Sequence, residues 1–237
     1  MEVQAVKVRK MARLLRRRLR RVLLDIDTQY DLLTRCNGDQ SELLRNIRRL
    51  IAWARLEGLA VISTALSRPG SSNSNVHPKG APDNCIEGTP GQQKLHYTML
   101  YPQIWFGAEN RLDLPRRLLS DYHQIIFEKR TEDPFAQPRA DRLLTEAKLE
   151  EFIVFGMGVD SAIRATVLGL LNRRKRVIVV SDAVDDAVER SGIMALRQME
   201  AKGAKLMTTS ALTGYSRLKG KLNLKEPPKK IIKPTIW

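Results

Sequence analysis

The chain has 237 residues, is 43% hydrophobic and 28% charged, and carries a formal net charge of +15. This length suits one α/β domain with a sizeable core. No apolar run reaches the ~18 residues of a spanning helix, and two cysteines, Cys36 and Cys85, are too few for a disulfide framework.

The charge sits at the two ends. Residues 1–22 hold nine Lys/Arg against one Glu, and residues 217–237 hold seven against one, which leaves only +1 for everything between. A nearly neutral middle argues against a basic groove on the fold that reads nucleic acid. The basic ends leave open a contact with a polyanion: RNA, anionic lipid or a partner subunit. The amino end has neither the apolar core nor the small-residue cleavage site of a secretory signal, so a cytoplasmic location is expected. The organisation expected is a basic extension over 1–19, one domain over 20–212 and a basic tail over 213–237.

Residues 4–19 can form a basic helix with Val6, Leu14, Leu15 and Leu19 as scattered apolar contacts. Arg21 to Ile26 has the continuous apolar centre of a buried parallel strand. Over Ser41 to Glu57, the residues Leu43, Leu44, Ile47, Leu50, Ile51 and Ala54 recur at helical spacing, with Ser41 as cap and Gly58 as stop. A second strand over 59–65 completes a parallel crossover unit. Residues 67–118 are rich in Pro, Gly, Ser and Asn and lack periodicity, which suggests a lid or pocket wall. Strand and helix then alternate: 124–128 and 140–145, 152–156 and 161–172, 176–181 and 187–202. A last strand over 205–209 follows Gly203, which stands where a helix C-cap belongs. The pattern predicts a doubly wound, mostly parallel sheet of five or six strands with helices on both faces.

The junction between the strand at 152–156 and the helix from Ser161 reads Phe155-Gly156-Met157-Gly158-Val159-Asp160-Ser161-Ala162-Ile163-Arg164-Ala165-Thr166. A strand turning sharply into a helix gathers backbone N–H groups at the positive end of a helix dipole, a good setting for a nucleophile and a developing oxyanion. The residue there is Ala162, whose methyl group can attack nothing.

This run resembles the nucleophile motif of the isochorismatase-like superfamily of cysteine hydrolases, approximately Gly-Val-x-Thr-Asp-x-Cys-Val-x-x-Thr. With Thr166 closing the motif, Asp160 matches its Asp, Ile163 its Val, and Ala162 falls on its Cys; Val159 replaces the Thr and Met157 the Val. Three more segments are similar to family members. Leu23-Leu24-Asp25-Ile26-Asp27-Thr28-Gln29 looks like the strand that ends in the catalytic Asp, identified here as Asp25. Ile125 to Arg130, followed by Asp133-Pro134-Phe135, looks like the strand carrying the catalytic Lys, here Lys129. Cys85-Ile86-Glu87-Gly88-Thr89-Pro90-Gly91 looks like a substrate-side loop.

The resemblance implies roles. Asp25 would take the thiol proton, Lys129 would hold that carboxylate ionised, and backbone N–H groups of Gly158 and Ala162 would hold the oxyanion. It also implies a cis peptide between Met157 and Gly158, and a homo-oligomer. Asp27 and Glu128 are expected to point away, since strand side chains alternate. Gln29, His96, Phe135 and Asp160 are candidates to line a pocket for a small ligand. Without sulfur, acyl transfer should fail, because losing the nucleophile of such a triad costs on the order of a millionfold in turnover. The neighbouring Ser161 would need a base within hydrogen-bonding reach.

Isochorismatases proper lack this Cys and cleave a vinyl ether with the Asp as acid. The aromatic-Ala-His run of their nucleophile turn is Gly158-Val159-Asp160 here, an incomplete match. Three readings follow: a scaffold that has lost cysteine chemistry, a non-covalent vinyl-ether hydrolase using Asp25 and Lys129, or an interaction protein with basic arms. No cofactor is expected. Nor is a metal, because residues 63–69 lack the Asp and His of the nicotinamidase branch and the chain's histidines are only His77, His96 and His123.

Overall fold

The computed structural model describes residues 20–36, 39–70, 84–185 and 189–214. The basic helix expected over 4–19 and nearly all of the basic tail lie outside the described residues. Among the described residues no helix is long and apolar enough to cross a membrane.

In chain order the elements are β1 (Arg21–Ile26), α1 (Tyr30–Thr34), α2 (Ser41–Glu57), β2 (Val61–Leu66), β3 (Gln103–Phe106), α3 (Leu118–Asp121) and β4 (Gln124–Lys129). They continue with α4 (Pro138–Glu146), β5 (Glu151–Gly156), α5 (Ala162–Asn172), β6 (Arg176–Val184), α6 (Glu189–Ala201), β7 (Lys205–Met207) and α7 (Thr209–Thr213). The strands form one sheet in the order β3-β4-β2-β1-β5-β6-β7, and every pairing is parallel. The sheet therefore has seven strands, not five or six. The extra one, β3, lies in the segment expected to be irregular. Its four residues follow Pro102 and precede Gly107, too short a run to show alternation.

Alternation along β1 sends Val22, Leu24 and Ile26 into one apolar layer, under α4, α5 and α6. It sends Leu23 into a second layer, under α2. This makes a three-layer α/β domain. α2 ends at Gly58, which takes the left-handed conformation (φ 63°) that ordinary side chains avoid. Its start differs from expectation: Ser41 is the first helical residue, and Asp39 does the capping by accepting from the Ser41 N–H at 2.9 Å.

The chain leaves β1 toward β2 and β4 on one side, then returns to place β5 on the other. The switch point thus falls between β1 and β5, where open parallel sheets form their sites. The two strands are joined closely there. Met157 N–H donates to the Ile26 carbonyl at 2.8 Å. A β-carbon on Gly156 (φ 127°) would stand 2.0 Å from that same oxygen, so only glycine fits.

Candidate functional site

A cavity of about 250 Å³ opens at this switch point, lined by Asp27 after β1, Leu66 at the end of β2 and Arg68 after it, Met157, Gly158, Asp160 and Ser161 between β5 and α5, Ala162 at the start of α5, and Asp185 after β6. Ala162 is buried at the first turn of α5. The N–H groups of Gly158 and Ala162 have no hydrogen-bond partner among the described residues, whereas the neighbouring Val159 N–H donates to Asp185 at 2.9 Å. Gly158 has φ 79°, and a β-carbon there would press on Ser161 Oγ at 2.8 Å. Positive φ, not a cis bond, shapes this turn: the cis peptide among the described residues is Tyr101–Pro102.

Of the two carboxylates at the end of β1, the one that lines this cavity belongs to Asp27, not Asp25. Lys129 Nζ donates to Asp27 Oδ2 at 2.6 Å and to the carbonyls of Thr131 and Glu132 at 3.0 and 3.1 Å, which uses all three ammonium hydrogens. Thr64 Oγ1 donates to the other Asp27 oxygen at 2.6 Å. The expectation that Asp27 points away was in error, because positions two apart share a face of a strand, and Asp27 moreover lies past the end of β1. Its φ of 48° breaks the two-residue period and turns the side chain toward Thr64 and Lys129.

Asp25 lies one pleat back, inside the sheet, fully buried. It pairs with Lys94 at 3.0 Å and also accepts from Thr28 Oγ1 at 2.8 Å and Ser63 Oγ at 2.9 Å. The Lys94 ammonium donates further to Thr28 Oγ1 (2.9 Å) and the Thr64 carbonyl (3.1 Å). Thr64 therefore links the two buried ion pairs, through its carbonyl to one and its hydroxyl to the other. Sequence reasoning missed Lys94 because it lies in a stretch without periodicity. A buried Asp at β1's centre, needing a cation, was the available signal.

The other candidates divide. Asp160 lines the cavity and accepts from Ser191 Oγ at 2.7 Å. Gln29 does not reach the cavity: its amide pins the end of β2, accepting from Leu66 N–H at 2.7 Å and donating to the Leu66 carbonyl at 2.8 Å. His96 is exposed, with its Nδ1 3.1 Å from the Tyr30 hydroxyl. Phe135 packs against Gly169 of α5 beneath the Arg173 guanidinium, which stands 3.8 Å from the ring centre.

A thiol does lie within electrostatic reach of the Asp27–Lys129 pair. Cys85 is buried, and burial, helped by the charges of Asp27 and Asp31, pushes its thiol up to about 12. It does not line the cavity. Cys36, half-buried, is likewise raised to about 12 by burial and by Asp185. Neither is a ready nucleophile. Ser161 Oγ has only a long contact with the Gly158 carbonyl, 3.5 Å, and no base beside it among the described residues. No group of three His, Cys, Asp or Glu side chains gathers to hold a metal among the described residues.

Comparison with known proteins agrees with this architecture. Residues 21–211 match the isochorismatase domain model. The chain is 26% identical to the nicotinamidase of Escherichia coli (strain K12) over 211 residues, which covers 79% of this chain and 94% of that enzyme. The MAR1 ribonuclease of Caenorhabditis elegans superposes with a TM-score of 0.58 at 22% identity, covering 92% of this chain and 96% of that one. The Escherichia coli YcaC gene product, described as an octameric hydrolase of unknown specificity, superposes with a TM-score of 0.59 at 15% identity, covering 83% and 78%. With its seven parallel strands, its site at the β1–β5 switch point and a family match across four-fifths of its length, this chain belongs to the isochorismatase family.

Proposed function

We propose that this chain is an isochorismatase-family hydrolase scaffold that has lost cysteine-dependent amide hydrolysis and binds a small amide-like or carboxylated ligand at the switch-point cavity. One observation carries the reading: a methyl group, Ala162, stands at the head of α5 in the same cavity as the Asp27 carboxylate.

The rest of an acyl-transfer apparatus is supported around it. The carboxylate is held by the Lys129 ammonium at 2.6 Å, as a base that accepts a thiol proton needs to be. Two N–H groups without a partner among the described residues stand at a helix terminus, where an oxyanion would be stabilised. The missing part is the group that attacks. A carbonyl or carboxylate oxygen can still be received by those N–H groups, so binding survives where bond cleavage does not.

The vinyl-ether route would instead use the same carboxyl as an acid. Both oxygens of Asp27 already accept, from Lys129 and from Thr64, which favours the first reading.

The test is the substitution Ala162→Cys, with small amides such as nicotinamide as substrates and released ammonia as the readout. Ammonia release is expected only in that variant and only while Asp27 is intact. Wild-type turnover of amides at a comparable rate would end the proposal.

A further inference from the structure

All the strands run parallel, so they start at one end of the sheet, the end opposite the cavity. There, three basic elements meet on one segment, residues 147–151. The Arg20 carbonyl accepts from the Glu150 and Glu151 N–H groups at 2.8 and 3.1 Å. Residues 1–19, with seven Lys/Arg against one Glu, therefore join the fold at this segment. The loop from Arg173 to Arg176 is laced to it as well. Lys175 Nζ donates to the carbonyls of Ala147 and Leu149 at 3.3 and 3.2 Å, answering the negative end of α4, and Arg176 N–H donates to the Glu150 carbonyl at 2.9 Å. Lys148, within the segment, lines a groove of about 550 Å³ together with Arg116. Buried Leu118 and Leu143 and half-buried Leu114 give that groove an apolar floor.

The carboxylates that border this surface already belong to arginines. Glu150 and Glu151 are shared among Arg20, Arg21 and Arg176. Glu146 pairs with Arg142 at 3.0 Å and Asp121 with Arg117 at 3.4 Å. Arg116, Lys148 and Arg174 are exposed and have no such partner among the described residues. The +1 of the chain's middle is thus an average over an uneven surface, and this end carries an excess of positive charge. Arg174 adds a second observation. It holds a left-handed φ of 58°, whereas the turns after α2 and α6 take that region with Gly58 and Gly203. Arginine is strained where glycine is at ease, so its side chain is kept at a cost to the fold.

We propose that this end of the domain binds single-stranded nucleic acid, with phosphates along Arg116, Lys148 and Arg174 and a base on the apolar floor. Salt-dependent attraction to a phosphate backbone is what clustered Lys and Arg supply, and only an unpaired strand can turn a base into a groove. None of the exposed large apolar side chains belongs to residues 114–120, 142–151 or 173–176, so the surface has nothing to insert into a bilayer.

The experiment is fluorescence anisotropy on the full chain with a labelled oligouridine of about 20 nucleotides, titrated between about 50 and 200 mM salt. Lys148→Gln should weaken binding about fivefold at about 100 mM salt and lower the salt slope by about 0.7, the contribution of one phosphate contact on a single strand. Arg174→Gly should weaken it equally while the midpoint of thermal unfolding rises, which loss of a structural residue would not produce. Arg164→Gln, an exposed cation at the other end of α5, should leave binding unchanged. An equal loss in Arg164→Gln would reveal attraction to net charge alone and overturn the site. So would binding that Lys148→Gln and Arg174→Gly leave intact. Equal affinity for poly-glutamate of the same length would assign the surface to an acidic protein. Binding to phosphatidylserine vesicles without binding to oligouridine would assign it to a membrane. Either result overturns the proposal, as does oligouridine that fails to bind.

Discussion

Replacing Lys94 with methionine removes one ammonium and takes a donor from three acceptors: Asp25 Oδ2, which keeps only the Ser63 hydroxyl, the hydroxyl oxygen of Thr28 and the carbonyl of Thr64. The pair is closed to water, with side-chain exposures of 1% for Lys94 and 0% for Asp25. Breaking such a pair from one side typically costs about 3–5 kcal/mol, because an uncompensated charge stays behind in a poorly polarisable place. Domains of this size are stable by about 5–15 kcal/mol, so the loss is a large fraction of the total. At roughly 2–4 °C per kcal/mol, the midpoint of thermal unfolding should fall by about 6–20 °C.

Removing both charges is a different perturbation. In Asp25→Val with Lys94→Leu, Ser63 Oγ keeps its bond from Gln124 Nε2 at 2.8 Å and Thr28 Oγ1 its bond to Thr98 Oγ1 at 3.2 Å, while the Ser63 hydroxyl hydrogen and the Thr64 carbonyl each lose a partner. With no buried charge left alone, the double variant should lose clearly less than the two single losses added together. Urea unfolding of the four proteins in the cycle gives the coupling directly. Additive single losses, or a Lys94→Met variant within about 1 kcal/mol of wild type, would refute the view that these two charges depend on each other.

Three further outcomes are expected of the same fold. Cys85, held near 12, is about one part in ten thousand thiolate at pH 8, so native protein should resist thiol reagents that label it at once in urea; fast labelling of the folded chain would contradict its burial. Since both thiols ionise near 9.0 when unfolded and near 12 when folded, the unfolded chain loses those protons first. Stability is therefore unaffected by them below pH 9 and declines as pH rises from 9 toward 12; a flat alkaline profile would count against the raised values. Gly156→Ala should cost about 2–6 kcal/mol, combining a steric clash with backbone strain, and an unchanged melting midpoint would show that β1 and β5 yield there.

Much of the fold is legible in the sequence because buried parallel strands are plain apolar runs. Residues 21–26 and 151–156 show this, and α2 declares itself by its spacing and its closing Gly58. Strand β3 was hidden, since four residues between Pro102 and Gly107 have no room for a period. The elements around the cavity were legible, and the carboxylate that lines it stands one pleat beyond the expected Asp25. Asp25 and Asp27 are equivalent under strict alternation, and only the positive φ at Asp27 separates a group inside the sheet from one at its mouth. Gln29 and Phe135 carry the right chemistry for a pocket but are engaged in bracing the fold, a distinction that depends on long-range contacts.

The stitch between Met157 N–H and the Ile26 carbonyl, with Gly156 too close to admit even a methyl group, bears on how a molecule can arrive. Floor and back wall are fastened to each other by main chain, so they cannot part to let a guest through. Any adjustment that admits a guest then falls to the other walls, among them the side of exposed Arg35.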